Sequence, residues 1–182
     1  MNTMSATLLD DVLPGFHFRS RHRRRVDAPA EWVGQALEMF TVGRGASLLF
    51  RLRGIHLPSG SLREVLTRSG FTVLAEEPGV EVVAGTNGQF WALRELAHME
   101  APLDVGAFRA FDRPGWAQAA ISVRIEPLED GGTELTTETR VRCVDDAARR
   151  RFAVYWSVIK VFSDWLRRDF LGRVARVAEG TE

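Results

Sequence analysis

The sequence predicts an α+β domain in which a curved antiparallel sheet of seven strands wraps around one long C-terminal helix. Three observations carry this. Residues 145–178 hold a helical apolar pattern that no Gly or Pro interrupts before Gly172. Residues 71–144 contain short apolar runs separated by hairpin signals. One strand-like run, residues 16–26, stands far upstream and is separated from the others by helical patterns. A sheet with one apolar face and a helix with one apolar stripe each need a covering partner, and each supplies it to the other.

Residues 1–14 read as a mobile lead-in containing at most one short turn, and residues 15–182 as a single domain, for which 182 residues and 45% hydrophobic content suffice. From Phe16 to Val26 the chain alternates. Phe18, Ser20, His22, Arg24 and Val26 share one face; His17, Arg19, Arg21, Arg23 and Arg25 share the other, which is expected to pair with Glu134 and Glu138 if their strand is the neighbour. Asp27-Ala28-Pro29 then offers a cap and a first-turn proline for a helix with the stripe Trp32, Val33, Ala36, Leu37, Phe40. A second stripe, Leu48, Leu49, Leu52, Ile55, and a capping-box spacing at Ser61–Glu64 ending at Gly70 give two or three short helices before the second strand.

Pro78-Gly79, Asn87-Gly88, Arg113-Pro114-Gly115 and Asp130-Gly131-Gly132 are the turn signals. Between them strands are expected at 71–77, 80–86, 89–95, 105–112, 117–127 and 133–144, with Ala97–Asp104 as the one long interruption. In the terminal helix, opened by Asp145 and Asp146, the residues Phe152, Tyr155, Trp156, Ile159, Phe162 and Leu166 form the apolar face.

The 24 basic and 24 acidic residues and a pI near 6.9 argue against a nucleic-acid or membrane-surface partner. Lys160 is the only lysine, which fits genome composition better than phosphate binding. No signal peptide or membrane-spanning run is visible, and Cys143 stands alone, so a cytoplasmic protein without stable membrane insertion is expected. The histidines His17, His22, His56 and His98 lack metal-ligand spacing, no cofactor fingerprint occurs, and Cys143 reads as a small core residue.

His22-Arg23-Arg24-Arg25-Val26-Asp27-Ala28-Pro29, the strand Gly132–Val141 and Phe152-Ala153-Val154-Tyr155-Trp156 together resemble the START / polyketide cyclase and lipid-transport superfamily (SRPBCC), whose fold is the helix-grip. The resemblance spans about residues 16–178. It implies a cavity between sheet and terminal helix for lipids, sterols, polyketides or other apolar molecules, and in some members catalysis.

The expected function is therefore binding or carriage of a small hydrophobic molecule. Candidate lining residues are Phe18, His22, Arg24, Trp91, Phe108, Phe111, Ile121, Val123, Val141, Tyr155, Trp156, Ile159 and Phe162, with the inward side of 89–95 and 105–112 open. A second expectation is a cyclase-, aromatase- or dehydratase-like enzyme with His22 as proton shuttle and Arg24 stabilising an enolate. A third is a protein-interaction module whose cavity is filled by its own aromatics. No cofactor or metal is expected, and a homodimer is left open.

Overall fold

The computed structural model describes residues 6–39, 62–92 and 98–180. In chain order the elements are α1 (Leu8–Val12), β1 (Phe18–Val26), α2 (Ala30–Glu38), α3 (Leu62–Arg68), β2 (Thr72–Glu77), β3 (Glu81–Gly88), β4 (Met99–Glu100), α4 (Val105–Arg109), β5 (Ala117–Pro127), β6 (Thr133–Cys143) and α5 (Asp146–Ala178). The sheet is antiparallel and six-stranded, ordered β1-β6-β5-β3-β2, with the two-residue β4 pairing β3 at Asn87 and Gly88. An antiparallel sheet with a long helix across it is compatible with a helix-grip.

Among the described residues six strands stand where seven were expected. Residues 105–109 of the expected strand 105–112 form a helix because Asp104 caps it, its Oδ1 accepting from Ala107 N at 2.7 Å. Val105 and Phe108, three apart, then both face the same apolar cluster. In the expected strand 89–95, Gln89 to Ala92 form a turn, Ala92 N donating to Gln89 O at 2.9 Å, and residues 93–97 lie outside the described residues. β4 sits inside the stretch expected to be the interruption. Asn87-Gly88 makes no hairpin: both residues belong to β3, and a Cβ on Gly88 would come within 2.9 Å of the His98 carbonyl oxygen as β4 passes. The other three turn signals hold, with Gly79, Gly115 and Gly131 at positive φ. Asp27 does not cap α2; the N-cap is Pro29, and Asp27 N donates to Glu179 Oε1 at 3.0 Å. The stripe at 48–55 lies outside the described residues.

Strand parity divides the core. Val26, Val123, Ile125 and Leu135 face α2 and the C-terminal part of α5, where Leu171, Val174, Ala175 and Ala178 are buried. Val83 and Ala120, of opposite parity, face Phe108 of α4 and Leu9, Val12 and Leu13 around α1. Part of the expected lead-in is thus a packed element, closed by a capping box between Thr7 and Asp10.

Arg140 pins that element. Its Nη2 donates to Asp10 Oδ1 at 2.7 Å, its Nη1 reaches the carbonyls of Leu13 and Leu9 at 3.2 and 3.4 Å, and its Nε donates to Glu138 Oε1 at 2.7 Å. Glu138 also accepts from Arg19 Nη2 at 2.8 Å, while Arg23 Nη1 lies 3.5 Å from Glu134, so the expected cross-strand pairing is observed. Burial opposes the Glu138 charge, but the hydrogen bonds from Arg19 and Arg140 outweigh it and hold the carboxyl below its usual range. The balance at Asp10 runs the same way and brings it to about 2.

Among the described residues no helix is long and apolar enough to cross a membrane. The outward side of α5 shows Val154, Val158, Val161 and Trp165, all exposed.

Both partners in the Glu138–Arg140 pair are 7% exposed. Glu138→Gln removes the buried carboxylate of this pair, leaving Arg140 with Asp10 and two carbonyls, and should lower urea-unfolding stability by about 3 kcal/mol. Asp10→Asn, at a carboxylate 44% exposed, should cost under about 1 kcal/mol. Both carboxyls have lowered folded-state values, so their stabilisation is complete above about pH 4.5 and is lost as pH falls towards 2; buried Glu81, whose carboxyl is pushed up, offsets part of this. Urea midpoints of both variants between pH 2 and 6 test the assignment.

Candidate functional site

The helix-bearing face of the sheet carries an unusual contact with α5. The helix starts at Asp145, whose Oδ1 accepts from Ala148 N at 2.7 Å, and buries Ala148 and Phe152 near that end and Leu171 to Ala178 near the other. From Ala153 to Phe170, about 27 Å of helix, no residue is fully buried. Of the expected apolar stripe only Phe152 is buried; Tyr155, Trp156, Ile159, Phe162 and Leu166 are half-buried.

The N-terminal end of this interface is filled by aromatic rings. Phe152 lies 4.8 Å from Phe18, 5.6 Å from Trp156, 5.7 Å from Tyr155 and 6.3 Å from Trp91, centroid to centroid, and Val141 joins the cluster. Five expected lining residues therefore come together here, packed on one another.

In the middle lies a polar layer. Asp164 Oδ1 accepts from Ser20 Oγ at 2.9 Å and lies 3.0 Å from His22 Nε2, which is 3.1 Å from Ser20 Oγ; Lys160 Nζ donates to Asp164 Oδ2 at 3.1 Å. A carboxylate only accepts, so Nε2 carries the hydrogen and has no lone pair to act as a base toward Ser20. A serine triad would place carboxylate and hydroxyl on opposite ring nitrogens; here they meet the same one. Burial opposes the Asp164 charge, and the bonds from Lys160, His22 and Ser20 more than compensate, keeping its carboxyl low.

Beside this cluster Arg167 turns toward the sheet. Its Nη1 is 3.4 Å from Thr137 Oγ1 and its Nε 3.4 Å from Ser163 Oγ. Burial, partly offset by Asp164, brings its guanidinium down to about 10. Sequence reasoning missed Arg167, Asp164 and Ser20 as a group, since the helical pattern counted only apolar residues.

Arg24 is exposed and lies alongside α5, where a Cβ on Gly172 would be 3.7 Å from its Nη1. Phe108 is fully buried on the opposite face, and Phe111 packs on Trp116 at 5.9 Å with its carbonyl accepting from Arg142. Those two do not face α5. Ile121 is half-buried and Val123 buried on the helix-bearing face.

At the α2 end of this face lies a groove of about 630 Å³. Leu37, Val82, Val123 and Ile125 give its apolar surface, Gly34 leaves it open on the α2 side, and Glu31, Glu38, Glu76 and Glu77 stand among its lining, Glu76 paired with Arg63. The expected site residues other than Val123 lie elsewhere. Among the described residues no three His, Cys, Asp or Glu side chains group as a metal site.

His17 Nδ1 accepts from Cys143 N at 3.0 Å, and burial with nearby Arg149 and Arg142 pushes its pKa down. Burial also pushes the Cys143 thiol up to about 11. At pH 8 roughly one such thiol in a thousand is ionised, so 5,5′-dithiobis(2-nitrobenzoate) should label the native protein very slowly and the urea-unfolded chain rapidly. Fast native labelling would contradict a core role.

No family model matches the chain, and no curated protein does. Among solved structures it is similar to a conserved protein of Geobacillus kaustophilus, at 13% identity over 90% of this chain and 97% of that one, with a TM-score of 0.46. It is similar also to protein MLL2253 of Mesorhizobium loti, at 14% identity over 91% and 99%, with a TM-score of 0.44. A hypothetical protein of Helicobacter pylori matches at 9% identity over 98% and 97%, with a TM-score of 0.43. Scores and identities this low carry no inference about family or chemistry.

Proposed function

We propose that the protein binds or carries a small hydrophobic molecule on the helix-bearing face of its sheet, as a member of the START / polyketide cyclase and lipid-transport superfamily. The observation that carries the proposal is the groove of about 630 Å³ floored by Val82, Val123 and Ile125, a volume typical of small-molecule sites. A cavity of that size speaks against an interaction module packed solid with its own side chains, although aromatics do fill the Phe152 end. The order of elements, with β1 beside the last strand and a 33-residue helix across the sheet, supports the superfamily placement.

No observation favours the cyclase-, aromatase- or dehydratase-like alternative. It needs His22 and Arg24 acting together, whereas His22 is held by Asp164 and Ser20 and Arg24 is exposed beside Gly172.

Gly34→Leu separates binding from stability. The new side chain enters the groove, where a Cβ meets only Ile125 Cδ1 at 3.9 Å, and it replaces a helix-interior glycine that costs about 1 kcal/mol. Native mass spectrometry and isothermal titration with fatty alcohols, sterols and aromatic polyketides should show a ligand for the wild type and at least roughly tenfold weaker binding for Gly34→Leu. The variant's Tm should be unchanged or raised by about 2–4 °C. Absence of any ligand, or equal binding by the variant, rejects the groove.

A further inference from the structure

We infer that Arg167 is the anion receptor of this site, so that the bound molecule is an amphiphile with a carboxylate or similar singly charged acid at one end of an apolar body. The inference rests on the groove being the binding site. It starts from a contrast between two arginines. Arg140, on the opposite face, is met by two carboxylates and two backbone carbonyls. Arg167 has five N–H donors and, among the described residues, only two neutral hydroxyl partners, both at 3.4 Å, with no carboxylate in ion-pair contact. Asp164, three residues before it on α5, is already occupied by Ser20, His22 and Lys160. Arg167 is half-buried, and a guanidinium partly withdrawn from water with only two long hydroxyl contacts gains from a ligand anion.

A second group points the same way. Thr139 is 5% exposed, and among the described residues its Oγ1 has no hydrogen-bond partner. It lies two residues from Thr137 on the same face of β6, so an orphan hydroxyl and an under-satisfied guanidinium face one side of the sheet.

Position links the pair to the groove. Thr137, which touches Arg167, is directly opposite Val123 in the β5–β6 register, and Val123 lines the groove. Opposed side chains of this kind have Cβ atoms about 5 Å apart. Thr137 and the guanidinium it touches therefore stand one strand from the floor of the groove, outside its lining, and an apolar body on Val82, Val123 and Ile125 has to displace packing at Val123 to meet the guanidinium. The lining glutamates oppose entry of an anion. Glu31, Glu38 and Glu77 are exposed and Glu76 is paired with Arg63, so salt screens them over about 8–10 Å. Glu81 is buried, with its Oε2 accepting from Leu8 N, and the half-buried guanidinium is screened less than the exposed glutamates.

Dodecanoate, dodecanol and dodecyltrimethylammonium share one tail and differ in charge, and titration of each below its micelle concentration into the full chain tests the inference. The wild type should bind dodecanoate at least roughly tenfold tighter than dodecanol. Arg167→Gln should bring dodecanoate down to the dodecanol level and leave dodecanol unchanged. Arg167→Met, which removes an uncompensated charge, should hold or raise Tm by about 2–4 °C. Equal binding of dodecanoate and dodecanol, tighter dodecyltrimethylammonium, a preference that survives Arg167→Gln, or a lower Tm in Arg167→Met overturns the receptor and leaves the groove standing. Binding of none of the three removes the groove and the receptor together.

Discussion

The register between β1 and β6 is the constraint on which the other contacts depend. Phe18 lies opposite Val141 and Val26 opposite Thr133, without a bulge between them. That alignment sets Arg19, Arg21 and Arg23 against Glu138 and Glu134 on one face and places Ser20 and His22 beside Thr139 and Thr137 on the other. A slip of one residue would exchange the two sets, turning guanidinium groups into the α5 interface and leaving Asp164 without Ser20 and His22. Ion pairs with exposed arginines contribute little energy each, yet as a row they distinguish one register from its neighbours.

On the helix-bearing face, α5 is anchored by apolar contact at two separated places and crosses a polar layer between them. The Phe152 cluster and the Leu171–Ala178 cluster supply burial at each end. The layer holding Ser20, His22, Asp164 and Arg167 contributes less, because hydrogen bonds gain only modestly over water and a charge without a counter-charge loses. Stability and recognition are thus separated along one helix.

Period-two alternation revealed β1, because its two faces differ in chemistry, and it also revealed β5 and β6, although nearly all of their residues on both faces are buried. The terminal helix was visible to within one residue through Asp145 and its uninterrupted pattern. Val105–Arg109 was misread because five residues hold too little pattern to separate two periods, and the decisive signal was the capping Asp104 just before them. Asn87-Gly88 misled because its glycine answers a tertiary need, the passage of β4, which no local rule contains. The site was least legible. Which half-buried stretch of a 33-residue helix lifts from the sheet depends on what packs at its ends, and polar residues such as Asp164 and Arg167 are indistinguishable in sequence from a solvated face.

The clasp between Arg140 and α1 also orders events during synthesis. Asp10 and Arg140 are 130 positions apart, and among the described residues β1 has β6 as its only strand neighbour. On a ribosome the segment carrying Leu9, Val12 and Leu13 emerges ahead of the sheet, yet its guanidinium partner emerges only after five of the six described strands have been made. The clasp therefore waits for β6, and α1 is among the last of these elements to be latched. A fold latched in this way depends on contacts of large sequence separation, and its slowest step is expected once β6 is available.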